Sequence, residues 1–290
     1  MTLTRPAVTG AQVTECLAGL GVKRGDALIF HCALSSIGRL EGGAEALIEA
    51  FLAAVGPEGT LMAPVMPDMF APIDLLDSPS TLGRVAEALR LWPGALRSMH
   101  PTHSVAALGQ SADRLVAGHE DCTPCGPGSP YEKLAQLGGW VLLFGVDQDR
   151  NTSLHTAEDL ADMPYLREVQ VEVRTPDGRG RKVRVPKFPQ GHREFIGIDP
   201  LLRRDGLVRI GQVGNAVVRL MPARELLEWA VRLLRRDPMA FLCRKPRCVS
   251  CRWAEARVRA ARGEPVEPVD WDARSRRWGC EDVRCEVCYV

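Results

Sequence analysis

The sequence predicts an α/β protein, a layered sheet flanked by helices with one β-hairpin excursion, plus a small Cys-rich metal-binding segment at its C-terminal end. Three observations predict it. Short apolar runs alternate with segments of helical periodicity, one stretch alternates apolar and polar residue by residue, and six of the ten cysteines lie from Cys243 onward. Uninterrupted apolar runs bounded by turn residues suit strands buried on both faces, and such strands need helices above and below them.

Helical spacing runs over 11–21 and over GAEALIEAFLAAV at 43–55. Each segment meets a glycine and then a short apolar strand, ALIFH at 27–31 and TLMAPV at 60–65. The alternation continues with a helix near 81–91, the strand SVAALG at 104–109, a helix across 111–118, the strand WVLLFGV at 140–146 and a helix from Thr152. EVQVEVRT, the turn PDGRG and RKVRVPK then read as a hairpin at about 168–187 with one exposed face. A strand near 207–220 and the helix ARELLEWAVRLLRRD at 223–237 close a main domain of residues 1–240. From 241 to 290 the composition shifts to Arg, Cys, Trp and Pro, with a linker-like GEPVEPVD at 263–270, and the segment reads as an appendage.

The 290 residues, 46% hydrophobic, are enough for one large core. Thirty-seven Lys and Arg against thirty-six Asp and Glu give a net charge of +1, so no global field attracts nucleic acid or an anionic membrane. The absence of an apolar leader or a run of about twenty apolar residues makes the expected location cytoplasmic, with no membrane partner. The expected partner is a small molecule, and a homo-oligomer is left open.

Two segments are organised for binding. HCALSSIGRLEGG at 31–43 follows a strand, and its serines and glycines let backbone approach a phosphate or a pantetheine chain. In GVDQDRNTSLHTAEDLADMPY at 145–165, His155 and Glu158 stand three apart on a helix, which puts imidazole and carboxylate on one face as a general base requires. A surface helix carries such a pair by chance as well. His31 ends a buried strand beside the first segment, His100 reads as structural, and His119 and His192 read as surface residues in polar loops. Cys16 and Cys32 read as core, and Cys122-x2-Cys125 is too isolated to signal metal.

The order of motifs resembles the aminoglycoside 3-N-acetyltransferase family. It is carried by His31-Cys-Ala-Leu-Ser-Ser-Ile-Gly38 with Gly42-Gly43, Gly56-Pro-Glu-Gly-Thr60, Ser78-Pro-Ser80, and Arg97-Ser-Met-His-Pro101 running into Ser104-Val-Ala-Ala-Leu-Gly109. Ser129-Pro130, Thr152-Ser-Leu-His-Thr-Ala-Glu158 and Gly211-Gln-Val-Gly-Asn-Ala216 follow in the family's order. The resemblance implies acetyl transfer from acetyl-CoA to a primary amine by direct attack, with His155 as base, Glu158 as its orienting partner and Thr152 donating to the developing oxyanion. It implies CoA-binding walls at His31, Ala33, Leu34, Ser35, Ser36, Ile37 and Gly38, and at Thr102, His103, Ser104 and Val105. Asp68, Asp159 and Asp162 are candidates to meet a cationic acceptor, which an aminoglycoside would be. The stretch from Met66 to Asp77 is shorter than its counterpart in typical aminoglycoside-modifying relatives, so another biosynthetic amine, another acyl-accepting nucleophile or a non-catalytic scaffold remain alternatives.

Cys243-x4-Cys248-x2-Cys251 is repeated at the same spacing by Cys280-x4-Cys285-x2-Cys288. Thiolates at that spacing suit a tetrahedral metal site, zinc by default and an iron–sulfur cluster as the alternative.

Overall fold

The computed structural model describes residues 7–175, 177–267 and 269, so Cys280, Cys285 and Cys288 lie outside the described residues. Its elements in order are α1 Gly10–Gly19, β1 Ala27–Cys32, α2 Leu34–Ile37, α3 Gly43–Val55, β2 Thr60–Pro64, α4 Arg84–Arg90, β3 Leu96–Arg97, β4 Val105–Gly109 and α5 Ala112–Val116. There follow α6 Pro130–Gln136, β5 Trp140–Phe144, α7 Ser153–Leu160, β6 Arg167–Arg174, β7 Gly180–Phe188, α8 Asp199–Arg204, β8 Arg209–Val213, β9 Ala216–Pro222, α9 Ala223–Arg236 and α10 Val249–Ala261.

Seven strands form one mixed sheet in the order β3-β4-β2-β1-β5-β9-β8. Its centre is parallel, since β1 pairs in parallel with both β2 and β5. Flanking β4 and β9 are antiparallel to β2 and β5. Side chains alternate across the central strands, as the pleat requires. On one face Leu28, Phe30, Leu61, Ala63, Leu142 and Phe144 pack with α1, α3 and α4. On the other, Ile29, Met62, Val141 and Leu143 pack with residues of α5, α6, α7, α9 and α10. The result is the expected sheet between helical layers.

The hairpin of β6 and β7 stands apart as its own sheet, with a satellite core of Ile73, Val171, Val173, Val185 and Phe188. Its exposed face matches the alternation. The 66–77 stretch adds to it, because Ile73 bridges Val173 and exchanges backbone hydrogen bonds with Glu172 and Arg174.

Short α2, β3 and α8 lie outside the sequence reading, and three further features depart from it. The single strand expected near 207–220 is two, β8 and β9, because Gly214 takes a left-handed φ of 58° and turns the chain at Gly214-Asn215. Helix α6 is not among the expected elements, although Ser129 caps it by accepting from the Glu132 backbone N–H and Pro130 begins it. Past residue 240, Phe241, Ala254 and Val258 are buried in the same cluster as α9, so the core runs on through α10. Among the described residues no helix is long and apolar enough to cross a membrane.

Candidate active site

Topology gathers the candidate segments. Ligands of open α/β sheets meet the carboxyl ends of the parallel strands. The segments after β1, β2 and β5 leave that end, and they hold 33–38, 66–68 and 145–158. Because β4 is antiparallel, it begins at the same end, which brings in 102–105.

Helix α7 carries His155 and Glu158 on one face. His155 Nδ1 lies 2.7 Å from Glu158 Oε2. A carboxylate only accepts, so the shared proton belongs to Nδ1, and in the neutral ring Nε2 carries the lone pair. The other carboxylate oxygen accepts from Arg193 Nε at 2.5 Å. Glu158 and Arg193 are 0% and 2% exposed. Burial would push the Glu158 carboxyl up, but the charges of Arg193 and His155 and the hydrogen bonds from both outweigh it and hold the group below the ordinary carboxylate range. Arg193 in turn lies over the Tyr165 ring at 4.6 Å, and Phe195 packs edge-on against His155 with centroids 5.0 Å apart. Thr152 is the N-cap residue of α7, and its hydroxyl makes no cap bond.

The first expected cofactor wall is α2 with its flanks. Ala33 N–H donates to the Phe144 carbonyl at 3.2 Å, and Ser36 Oγ donates to the Ala33 carbonyl at 2.6 Å. Ser35 and Gly38 are exposed and Ala33, Leu34 and Ser36 half-buried, whereas Ile37 belongs to the core. His31 is buried, its pKa pushed down to about 3 by burial, and its Nε2 has no hydrogen-bond partner among the described residues.

The second wall is buried and closely bonded. His100 Nδ1 accepts from the Thr102 and His103 backbone N–H groups at 3.2 and 3.1 Å. Thr102 Oγ1 is 3.0 Å from His103 Nδ1. Ser104 Oγ donates to the Val65 carbonyl at 2.9 Å and takes hydrogen bonds from Arg97, so that hydroxyl is committed to structure. Val105 is a core side chain. Burial, and after it the charges of His100 and then His155, hold His103 well below the ordinary value.

The acidic candidates do not converge as an open cluster. Asp159 and Asp162 both pair with Lys187 of β7, at 3.3 and 2.9 Å, and Asp159 also accepts from Thr123 Oγ1. Asp68 is exposed and accepts from the Phe70 backbone N–H in its own turn.

Two histidines expected on the surface are buried. His119 lies with Nδ1 2.9 Å from Ser98 Oγ and Nε2 3.1 Å from the Pro124 carbonyl, stacked on His100, so local partners satisfy both nitrogens. His192 faces Cys248 and Cys251. Neither His192 nor Arg193 carries a sequence signal, since both stand in the polar, aperiodic stretch QGHREF.

A model of the aminoglycoside 3-N-acetyltransferase family matches residues 29–235. The chain belongs to that family. It is 36% identical over 272 residues to aminoglycoside N(3)-acetyltransferase IV of Salmonella sp., covering 90% of this chain and 96% of the relative. It is 41% identical over 259 residues to aminoglycoside N(3)-acetyltransferase IX of Micromonospora chalcea, covering 77% and 92%. Among solved structures, a histidine-to-alanine variant of AAC(3)-IVa in complex with a gentamicin superposes with TM-score 0.79 at 33% identity, covering 86% of this chain and 97% of that one. AAC-IIIb in binary complex with CoASH superposes with TM-score 0.72 at 32% identity, covering 83% and 100%. Family membership makes the chain a CoA-dependent N-acetyltransferase.

Proposed function

We propose that the chain moves the acetyl group of acetyl-CoA to a primary amine of an aminoglycoside, with His155 as the general base. The observation that carries the reading is the run from His155 through Glu158 to Arg193, on the helix that follows β5 at the carboxyl end of the parallel strands. Relatives solved with a gentamicin and with CoASH support the acceptor and the donor.

In this reading Nε2 of His155 takes a proton from the acceptor amine as its nitrogen attacks the thioester carbonyl carbon. The carbonyl oxygen becomes an oxyanion, and Thr152 donates to it, a contribution on the order of 3 kcal/mol for one donor. As the carbon–sulfur bond breaks, the imidazolium returns its proton to the CoA thiolate. Glu158 keeps Nδ1 protonated throughout and stabilises the imidazolium. The protons balance, so His155 ends as it began.

The test is an acetyl-CoA titration against a panel of aminoglycosides and simpler amines, following free thiol. His155→Ala should lower kcat by about a hundredfold or more while acetyl-CoA still raises the melting temperature in a concentration-dependent way. Full turnover in His155→Ala would remove the base from the mechanism. Thiol release with simple amines and none with aminoglycosides would move the acceptor elsewhere.

A further inference from the structure

Outside the reaction site, four metal-ligating side chains meet. His192 follows the hairpin, Cys243 follows α9, Cys248 is the N-cap residue of α10, and Cys251 lies in its first turn. Their ligand atoms lie within 4.8 Å of one another. His192, Cys248 and Cys251 are buried.

The spacing of the ligand atoms is that of a metal site. Cys248 Sγ and Cys251 Sγ stand 3.6 and 3.5 Å from the same His192 Nδ1. That nitrogen's one lone pair serves one thiol donor, and Cys251 Sγ also lies 3.4 Å from the His192 carbonyl. Two sulfurs at that range around one nitrogen also have the spacing that a shared centre requires. With Zn–S of about 2.3 Å and Zn–N of about 2.0–2.1 Å at a tetrahedral angle, sulfur and nitrogen ligands sit about 3.6 Å apart. The Cys243 backbone N–H donates to Cys251 Sγ at 3.2 Å, and the start of α10 places its positive dipole end at Cys248 and Cys251. Both features favour thiolates.

We propose that His192, Cys243, Cys248 and Cys251 bind one zinc ion, and that this centre positions Arg193 for the acetyl-transfer site. Three thiols lose their protons on binding, so the site carries three thiolates, one neutral imidazole and Zn²⁺. The default is zinc because a Cys3His tetrahedron closes around it and because an iron–sulfur cluster draws on four cysteines.

The positioning half rests on the His155 reading above. Arg193 is the next residue after the proposed ligand His192, and its Nη1 donates to the His192 carbonyl at 3.0 Å. The Glu194 N–H donates to the Phe241 carbonyl at 2.8 Å, so the 190s loop and the chain leading to Cys243 are already stitched together. A metal fixing that loop to α10 fixes the guanidinium that holds Glu158, and through it the tautomer of His155. Arg193 is a positioning residue in this scheme, since it reaches the reaction only through Glu158.

The test uses the full chain purified under reducing, chelator-free conditions, beside a variant carrying Cys280→Ser, Cys285→Ser and Cys288→Ser. Elemental analysis should find one zinc per chain in the triple variant. Replacement by Co²⁺ should give thiolate-to-cobalt charge-transfer absorption with tetrahedral visible bands. Cys251→Ser on that background should lose the ion and lower kcat about tenfold or more, with KM for acetyl-CoA changed less than about twofold. Zinc absent from the triple variant, iron in its place, or a cobalt spectrum without thiolate bands overturns the site. Should Cys251→Ser fail to fold, the metal content and cobalt spectrum of the triple variant still decide it. Unchanged kcat after zinc removal overturns the positioning role alone. Metal content and spectrum do not depend on turnover, so loss of the His155 reading would leave them standing.

Discussion

Arg193→Met should separate the energetic role of the buried ion pair from its chemical one. In the native chain the guanidinium and the Glu158 carboxylate are 2% and 0% exposed, and among the described residues the other ion-pair partner of Glu158 is His155, a cation only when protonated. Removing one partner of such a pair leaves a charge stranded in the core, which costs about 3–5 kcal/mol. For a chain of this size that is a fall in melting temperature of roughly 6–10 °C. The deficit should depend on pH with a definite sign. In the native protein Glu158 is held below its ordinary 4.5, so its pairing stabilises the fold above pH 4.5 and is lost as pH falls through the folded value. Without Arg193, burial raises the carboxyl instead, and protonation relieves the stranded charge. The gap between variant and native protein should therefore be widest near neutrality and narrow toward pH 4.5. Kinetics should follow. As pH falls through the raised Glu158 value, the protonated carboxyl donates to Nδ1 and moves the imidazole proton to Nε2, so His155 holds the wrong tautomer for the proposed role and kcat of the variant falls. Thermal melts from pH 4 to 8 measure the first effect and pH–rate profiles the second. A deficit below about 1 kcal/mol, or one flat with pH, would refute the stranded-charge argument.

Burial holds His31 at about 3, His100 at about 2, His119 at about 4 and His103 well below its ordinary value. The unfolded chain therefore binds up to four protons that the folded chain refuses below pH 6.5, and stability should fall by about 5 kcal/mol per pH unit between roughly 6 and 4; an acid transition below pH 4 would show that these rings titrate freely. Gly145 has φ 70°, and a Cβ there would collide with Ser36 Oγ. Gly145→Ala should displace the 33–38 wall and raise KM for acetyl-CoA several-fold more than it lowers kcat, which steady-state kinetics with varied donor would check. A chain ending at residue 240 loses Phe241, Ala254 and Val258 from the core and should lose more than about 3–5 kcal/mol, the usual cost of a buried Phe→Ala change alone, as read by urea unfolding.

Local signals are legible where one segment carries them whole. The alternation of apolar runs and helices places β1, β2, β4 and β5, and the polar–apolar alternation places the hairpin, because period and turn chemistry are written within a few consecutive residues. The His155 and Glu158 pair is legible for the same reason: three positions on a helix are one turn. The Ser129 to Glu132 cap is equally local yet hidden among Gly and Pro in CGPGSP. What no periodicity shows is a contact between polar residues far apart in the chain. Arg193 stands 35 positions from Glu158. His192 stands 56 and 59 positions from Cys248 and Cys251. The cysteine repeat points to sulfur ligands and therefore to a centre made of sulfur alone. In the structure the fourth member of the cluster is an imidazole delivered by the hairpin's exit, because β7 ends where Phe241 and α10 close the core. A buried arginine facing a buried glutamate needs a neighbour that holds it still, and the residue next to it in the chain lies among three thiols. Geometry of that kind is settled by how the layers stack, which places the Arg193–Glu158 pair and the His192 cluster beyond any reading confined to local sequence.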